Sequence, residues 1–288
     1  MRFTPLSLAS LTCWFLLYNN GAAMESKGPT GALQIDLVFP RNETYNPSPV
    51  MPIIFSYRNL GLLPYLVPTI TYQIWNYDNF SADSAGGKIK VPLLNDSSVD
   101  PHIEFIPHLH PFNTEGTWRL NFHIRWVHCY VAPAEKGRGE LNMHGVNETD
   151  IGGIVFATKG PSKQVDLVAA TSNKNCSFPA GAAINVTDTM RSPSLLRDYE
   201  PDVCPMVTYP EIKADSCDVT LDPAAASSID AEMTSWVCTR VWETNRPEGF
   251  DCDSRKEEES TALRSIAGGA SCLATSNVEG YVLFSEID

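Results

Sequence analysis

The strongest constraint on the fold is a strict alternation of apolar and polar side chains near the middle of the chain, over the nine residues 118–126 of the segment 117–131. Because successive side chains of a β-strand point to opposite faces, all of the large apolar residues here share one face. Those apolar residues are Trp118, Leu120, Phe122, Ile124 and Trp126, and the polar residues between them are Arg119, Asn121, His123 and Arg125. The segment is therefore predicted to be a long strand whose tryptophan-rich face is buried in the core.

Shorter segments with strand character precede and follow this strand. Residues 33–39 alternate, and Pro40 ends that strand; further strands are predicted at 50–57, 69–75, 91–94, 103–106, 153–158 and 182–186. Glycine, proline and asparagine separate them, as is typical of turns in antiparallel β-proteins. We therefore predict a mainly β fold, an antiparallel immunoglobulin-like sandwich.

The C-terminal part changes character and predicts one added helix. Asp222 can cap a helix, Pro223 suits the first helical position, and good helix formers continue to Cys238. The apolar residues of this segment recur on one face, at Ile229, Met233, Trp236 and Val237. We predict a helix at about 223–238 that packs on the sandwich, within one domain of residues 24–240. Residues 241–288 are predicted to form an acidic, weakly structured tail.

The N-terminus has the three parts of a secretory signal peptide. Arg2 supplies the positive charge, residues 6–17 form an apolar run, and Gly21 and Ala23 supply the small residues before the cleavage point. The apolar run is shorter than the ~20 residues that cross a membrane as a helix. We therefore expect a signal peptide at residues 1–23 and a secreted protein that is extracellular or associated with the cell wall.

Six glycosylation sequons agree with that compartment. Each has Ser or Thr two positions after Asn, lacks proline between them, and predicts a surface that carries sugar. The predicted sites are Asn42, Asn79, Asn95, Asn147, Asn175 and Asn185. Asn175 adjoins Cys176, so a disulfide at that cysteine would hinder modification.

The cysteines are expected to form disulfides in an oxidising compartment. Removing Cys13 with the signal peptide leaves seven of the eight cysteines, an odd number. No C-x-x-C spacing is present, which disfavours a zinc site. The predicted pairs are Cys217 with Cys238, which bracket the helix, Cys252 with Cys272, and Cys176 with Cys204, and Cys129 is left as the free thiol.

The formal net charge is −13, and the cationic residues are not clustered along the chain. A nucleic-acid partner and an anionic membrane surface are therefore disfavoured. No second apolar run is long enough to cross a membrane, so we expect no transmembrane helix in the mature chain.

His108 and His110 are the sharpest candidates for chemistry. If they lie on a strand, both imidazoles point to one face and can bind one metal ion. A third ligand would come from His102, Glu104, His123 or His128. The alternative is an ordinary loop, because Pro107 and Pro111 flank the pair.

No catalytic residue can be assigned from the sequence. A G-x-S-x-G motif, a P-loop and a dinucleotide-binding fingerprint are all absent. The 34 acidic residues show no spacing that selects one pair for glycoside hydrolysis. No cofactor is expected.

Aromatic side chains predict a surface on which sugar rings can stack. The candidates are Tyr72, Trp75 and Tyr77, with Phe80 beside them. Trp75 lies on the face of its strand opposite the isoleucines of residues 69–75, which favours its exposure. Burial in the core is the alternative for each ring.

Two segments at the start of the predicted sandwich, residues 31–45 and 49–59, resemble the opening of a fungal secreted family that is catalogued only as a domain of unknown function. Residues 71–76, 116–118 and 217–226 also resemble that family. The resemblance covers residues 31–238 or so and implies a β-rich, glycosylated protein without an assigned reaction or catalytic residue. Family members often end in a lipid-anchor signal, but the last apolar stretch here, residues 281–284, is shorter than such a signal needs.

These features predict a secreted, non-catalytic glycoprotein of the cell wall or extracellular space that binds polysaccharide or secreted proteins. One alternative is an extracellular polysaccharide-active enzyme that uses carboxylates or a histidine-bound metal. Another is a structural protein anchored at the cell surface.

Overall fold

A computed structural model describes residues 28–82, 84–92, 100–109, 111–132, 141–173, 180–192, 203–208, 211–213, 215–250 and 252. The strands are β1 Gly31–Phe39, β2 Thr44–Tyr45, β3 Met51–Arg58, β4 Thr69–Asn76, β5 Ala85–Lys90, β6 His102–His108, β7 Gly116–Ala132, β8 Leu141–Thr158, β9 Gly181–Arg191, β10 Val203–Val207 and β11 Glu211–Lys213. The α-helices are α1 Leu63–Leu66, α2 Leu167–Ser172 and α3 Pro223–Arg240, and 3₁₀ turns cover Leu60–Leu62, Asp215–Asp218 and Glu243–Asn245.

These strands form two sheets that pack face to face. Sheet A has six strands in the order β10-β9-β1-β3-β6, with β11 also paired to β9. Sheet B has five strands in the order β2-β8-β7-β4-β5. The strand pairs are antiparallel except β2 with β8, which is parallel. The prediction of a mainly β sandwich with a C-terminal helix is confirmed.

The space between the sheets is filled by the alternating apolar residues. Phe55 of sheet A meets Phe122 of sheet B edge to face, with ring centroids 5.5 Å apart. Trp118 and Trp126 are each 1% exposed, which confirms that the tryptophan-rich face of β7 belongs to the core. The indole of Trp118 donates a hydrogen bond to Thr158 Oγ1 at 2.8 Å, so its polar atom is satisfied inside the core.

The outer face of sheet A is covered by the helical elements. Strands β1 and β3 are buried on both faces, and α2 and the 3₁₀ turn Asp215–Asp218 contact β1, while α3 contacts β6. Helix α3 begins as predicted, because Asp222 accepts a hydrogen bond from the backbone N–H of Ala225 at 2.7 Å. Its apolar side, with Ile229, Met233 and Val237, is buried.

Two disulfides correct the predicted cysteine pairing. Cys129 of β7 is bonded to Cys204 of β10, which joins sheet B to sheet A with a Cα–Cα distance of 5.7 Å. Cys238 at the end of α3 is bonded to Cys252, with a Cα–Cα distance of 5.5 Å. Cys217 is also disulfide-bonded.

The predicted pairs Cys217–Cys238, Cys252–Cys272 and Cys176–Cys204 are therefore wrong, as is the prediction that Cys129 is free. The physical reason is that packing of the two sheets brings β10 beside β7, a proximity that spacing along the chain does not reveal. Cys176 and Cys272 lie outside the described residues.

The residues that follow α3 are held against the end of that helix by hydrogen bonds and a disulfide. Arg246 donates hydrogen bonds to the carbonyl oxygens of Cys238 at 2.9 Å and Val241 at 3.3 Å, close to the Cys238–Cys252 disulfide. The rest of the predicted tail, residues 253–288, and the predicted signal peptide lie outside the described residues. In the part of the chain that is described, no helix combines the length and apolar character needed to cross a membrane.

Candidate ligand-binding face

The outer face of sheet B is open, in contrast to that of sheet A. On β4 the side chains of Ile70, Tyr72 and Ile74 point into the core, while Thr71 and Gln73 are exposed on the other side. The same alternation on β7 places its polar residues outside. Cross-strand pairing arranges these outward side chains in rows that run across the strands.

The central row contains two amide side chains between two glycines. Gly86, Gln73, Asn121 and Gly153 are paired in that order across β5, β4, β7 and β8. A Cβ atom on Gly153 would lie only 1.8 Å from Asn121 Oδ1, so the amide occupies the space that a side chain would need. A Cβ atom on Gly86 would lie 2.9 Å from the carbonyl oxygen of Tyr72. We refer to this row, two amide side chains between two residues that have no side chain, as the amide trough.

Trp75 stands on one side of this trough. It pairs with Arg119 of β7, which in turn pairs with Val155 of β8. Trp75 is half-buried, and its Nε1 has no hydrogen-bond partner among the described residues. Arg119 Nε donates a hydrogen bond to Asn121 Oδ1 at 3.1 Å, which holds the amide in place.

Charged residues stand on the other side of the trough. Lys88, Thr71, His123 and Asp150 form the next row across the sheet. His123 Nδ1 lies 3.8 Å from Asp150 Oδ1 and 4.0 Å from Glu148 Oε1. All of these carboxylate and imidazole groups are well exposed, so each interaction is screened by water and contributes little to stability.

A bulge in β8 separates the trough from the charged row. Between the paired positions, β8 contains Ile151 and Gly152 where β7 contains only Phe122. Gly152 has φ +81°, a conformation that favours glycine, and its N–H donates to Asp150 Oδ1 at 2.8 Å. Such a bulge bends the strand and redirects the side chains next to it.

The sequence predictions for sugar stacking are partly corrected. Tyr72 is 1% exposed and faces the core, so it cannot stack on an external sugar; its hydroxyl lies 2.9 Å from His108 Nε2. Trp75 reaches the open face. Tyr77 and Phe80, which are 45% and 76% exposed, lie beyond the end of β4.

His108 is enclosed by aromatic rings. It lies edge to face with Tyr72 and Phe112, with ring centroids 5.6 and 6.3 Å apart, and burial lowers its pKa from 6.5 to about 4. His110 lies outside the described residues, so the proposed metal pair stays a prediction. Among the described His, Cys, Asp and Glu residues, no group of three could hold a metal ion.

Sequence reasoning missed a buried polar group near the other end of β6. Glu104, one of the suggested metal ligands, accepts a hydrogen bond from the hydroxyl of Tyr57, and the ring of Tyr57 is stacked on His102 with centroids 6.1 Å apart. Burial and the adjacent carboxylate raise the pKa of Tyr57, and burial lowers the pKa of His102. The parity of β6 gave no such signal, because the residues that alternate with His102 and Glu104 are the apolar Ile103 and Phe105, which also pack against the core.

A shallow depression of about 250 Å³ lies elsewhere, between β2 and α2, with Glu43, Lys163 and Asp166 among its lining residues. This volume is below the ~300 Å³ at which small-molecule pockets begin. Asp166 is already engaged there, because its side chain caps α2 by accepting from Ala169 N at 3.0 Å.

The predicted glycosylation sites differ in accessibility. Asn42, Asn79 and Asn185 are exposed, and Asn147 is half-buried in β8. Asn95 and Asn175 lie outside the described residues.

The comparison with known families agrees with the resemblance seen in the sequence. A family model described as "Domain of unknown function (DUF7136)" matches residues 29–248. No curated protein and no solved structure matches the chain. The matched region runs from just before β1 to the turn after α3, so it includes both sheets and the helix that covers sheet A. The chain therefore belongs to the family of the domain of unknown function DUF7136.

Proposed function

We propose that this protein is a secreted, non-catalytic glycoprotein of the cell wall or extracellular space, and that it binds polysaccharide on the outer face of sheet B. The observation that carries the proposal is the amide trough beside Trp75, formed by Gly86, Gln73, Asn121 and Gly153 on a sheet face where Gln73 and its neighbours Thr71 and Arg125 are exposed.

The chemistry of this face suits a sugar chain. An indole packs against the C–H groups on one face of a pyranose ring, and an amide both donates and accepts hydrogen bonds, as neighbouring sugar hydroxyls require. Strands are ~4.8 Å apart, so a row across four strands extends about 14 Å and can contact more than one sugar ring. Glycines at both ends of the row add no side chain of their own that would project towards a bound chain.

The open shape favours binding over catalysis. Hydrolysis of a glycosidic bond needs two carboxyl groups placed on either side of that bond, in a site that controls water. The carboxylates on this face, Glu148 and Asp150, are 57% and 60% exposed and both lie beside His123 on one side of the trough. Carboxylates on one side can make electrostatic contact with a ligand, but they are not placed on either side of a glycosidic bond.

Secretion is supported by three independent features. The N-terminal segment has the composition of a signal peptide. Three of the described sequons present exposed asparagines. Disulfides such as Cys129–Cys204 form and persist in oxidising compartments.

The test is a binding assay with two matched tryptophan variants. Purified protein is mixed with insoluble cellulose, chitin, β-glucan and mannan, and the bound fraction is measured against concentration. We expect Trp75→Ala to weaken binding by about tenfold, because it removes the aromatic platform. Trp242→Ala removes a tryptophan that is 83% exposed beyond α3, and it should bind like the unchanged protein.

Gln73→Ala separates loss of binding from loss of folding. Gln73 is exposed, so its truncation leaves the core intact, and it should weaken binding by about three- to tenfold. Absence of binding to every polysaccharide, or equal binding by the Trp75 and Trp242 variants, contradicts the proposal.

A further inference from the structure

The turn that follows β4 is held by several hydrogen bonds. The Oδ1 atom of Asn76 accepts from the backbone N–H groups of Asp78 at 3.0 Å and Asn79 at 2.9 Å. The carbonyl oxygen of Asn79 accepts from Ala82 N at 3.1 Å, and Tyr77 N donates to Thr117 O of β7 at 2.7 Å. These bonds fix the backbone of an exposed turn that includes a glycosylation sequon.

The asparagine of that sequon is oriented for modification. Its Oδ1 accepts a hydrogen bond from Ser81 N at 3.1 Å, so the oxygen of the amide faces the turn. The nitrogen of the same planar amide, which would carry a sugar, therefore points the other way. In contrast, Asn147 and Asn185 lie within the strands β8 and β9.

Two exposed rings flank Asn79. Tyr77 is 45% exposed and Phe80 is 76% exposed, and both are among the more exposed large apolar residues of the described chain. Water contact with such rings is unfavourable at roughly 25 cal/mol per Å² of apolar surface. The C–H face of a sugar ring can cover an aromatic ring without losing the hydration of the sugar hydroxyls.

We propose that the first N-acetylglucosamine of a glycan on Asn79 packs against Tyr77 and Phe80 and stabilises the fold. In this proposal Tyr77 and Phe80 contact the protein's own glycan, whereas external polysaccharide binds to Trp75 and the amide trough. The inference rests on the proposed secretion of the chain, since only the secretory pathway supplies the glycan.

The modification is a group transfer from a lipid-diphosphate-linked oligosaccharide, which is the co-reactant. The Nδ2 atom of Asn79 forms a bond to the anomeric carbon of the first sugar. The bond from that carbon to the diphosphate oxygen breaks, the diphosphate leaves with the electron pair, and the amide nitrogen loses one proton.

The test is a double-mutant cycle on protein secreted from a eukaryotic host, with the glycans trimmed to their first sugar. Ser81→Ala removes the sequon and retains Asn79, and Tyr77→Ala removes one of the stacking rings. Mass spectrometry gives the occupancy of each sequon, and urea unfolding gives the equilibrium constant for unfolding. We expect Ser81→Ala to raise this constant on the order of fivefold in the unchanged background, and to have a clearly smaller effect beside Tyr77→Ala, where Phe80 is the one remaining ring.

Thr44→Ala is the matched control, because it removes the sequon of the exposed Asn42, whose neighbour Tyr45 is buried. The effect of Thr44→Ala on the unfolding constant should be the same in the unchanged background and beside Tyr77→Ala. If Asn42 carries a glycan and Asn79 does not, or if Ser81→Ala acts equally in both backgrounds, the inference is wrong and secretion still stands. If no sequon is modified and the protein is not exported, the proposed secretion fails as well.

Discussion

Removal of the Cys129–Cys204 disulfide is predicted to destabilise the protein more than removal of Cys238–Cys252. The first bond joins β7 in sheet B to β10 in sheet A, and its cysteines are 75 residues apart. The second joins the end of α3 to the segment that follows it, with a separation of 14 residues. A cross-link stabilises mainly by restricting the unfolded chain, and a longer closed loop loses more conformations.

The loop lengths give the size of the difference. With loops of 75 and 14 residues, the chain-entropy relation gives about 4.5 and about 3 kcal/mol at 25 °C. The expected difference in the free energy of unfolding is therefore about 1.5 kcal/mol. It is large enough to resolve by urea unfolding, because it corresponds to more than a tenfold change in the unfolding constant.

The assay compares the double variants Cys129→Ala/Cys204→Ala and Cys238→Ala/Cys252→Ala with the unchanged protein. Both cysteines of a pair are replaced so that no new unpaired thiol is created, and tryptophan fluorescence follows unfolding in urea. Cys129 and Cys204 are buried at 2% and 4% exposure, so alanine also leaves a small cavity. The variant Cys129→Val/Cys204→Ala refills part of that volume and should be within about 1 kcal/mol of the double alanine variant. Equal losses for the two disulfides, or recovery of most of the stability by valine, would refute the reasoning.

Three further predictions concern helix α3, the histidine His108 and the amide trough. Asp222→Ala should lower the free energy of unfolding by about 1 kcal/mol in urea titrations, because the N–H of Ala225 loses its cap. Burial lowers the pKa of His108 from 6.5 to about 4, so the unfolded chain binds this proton first as the pH falls. The stability should therefore be constant above about pH 7 and decrease from pH 6.5 towards pH 4, and urea titrations of His108→Gln should show a smaller decrease. Gly153→Ala places a Cβ atom 1.8 Å from Asn121 Oδ1 and should weaken polysaccharide binding by about three- to tenfold, whereas Gly61→Ala, with no atom within 4 Å, should leave binding unchanged.

The fold was predictable where a pattern within one segment determines the structure. The alternation in residues 117–131 predicts a strand with Trp118 and Trp126 inside, and both are buried. Asp222 and Pro223 predict the start of α3 at the position where it begins. In each case the deciding interactions are local, either side-chain parity or a cap, so no knowledge of the rest of the chain is needed.

The disulfides and the ligand face could not be predicted in this way, because both depend on which strands are neighbours. Cys129 meets Cys204 only because β10 packs beside β7. Gly86 and Gly153 are unremarkable in the sequence, and they define a trough only after the pairing of four strands aligns them with Gln73 and Asn121. The burial of Tyr72 was predictable from the sequence, because its parity with Ile70 and Ile74 places it on the core face of β4.

The position of α3 also explains why the outer face of sheet B is open and that of sheet A is not. In a two-layer sandwich each sheet has one inner and one outer face, and the sequence of a single strand does not show which outer face will be covered. The outward residues of sheet A include Val38 and Ile54, which are fully buried, and an apolar outer face of this kind needs the helical layer. Among the described side chains, the outward residues of sheet B are mostly polar or glycine, with Trp75, Ala157 and a few valines as exceptions, so this sheet is stable in water without a cover.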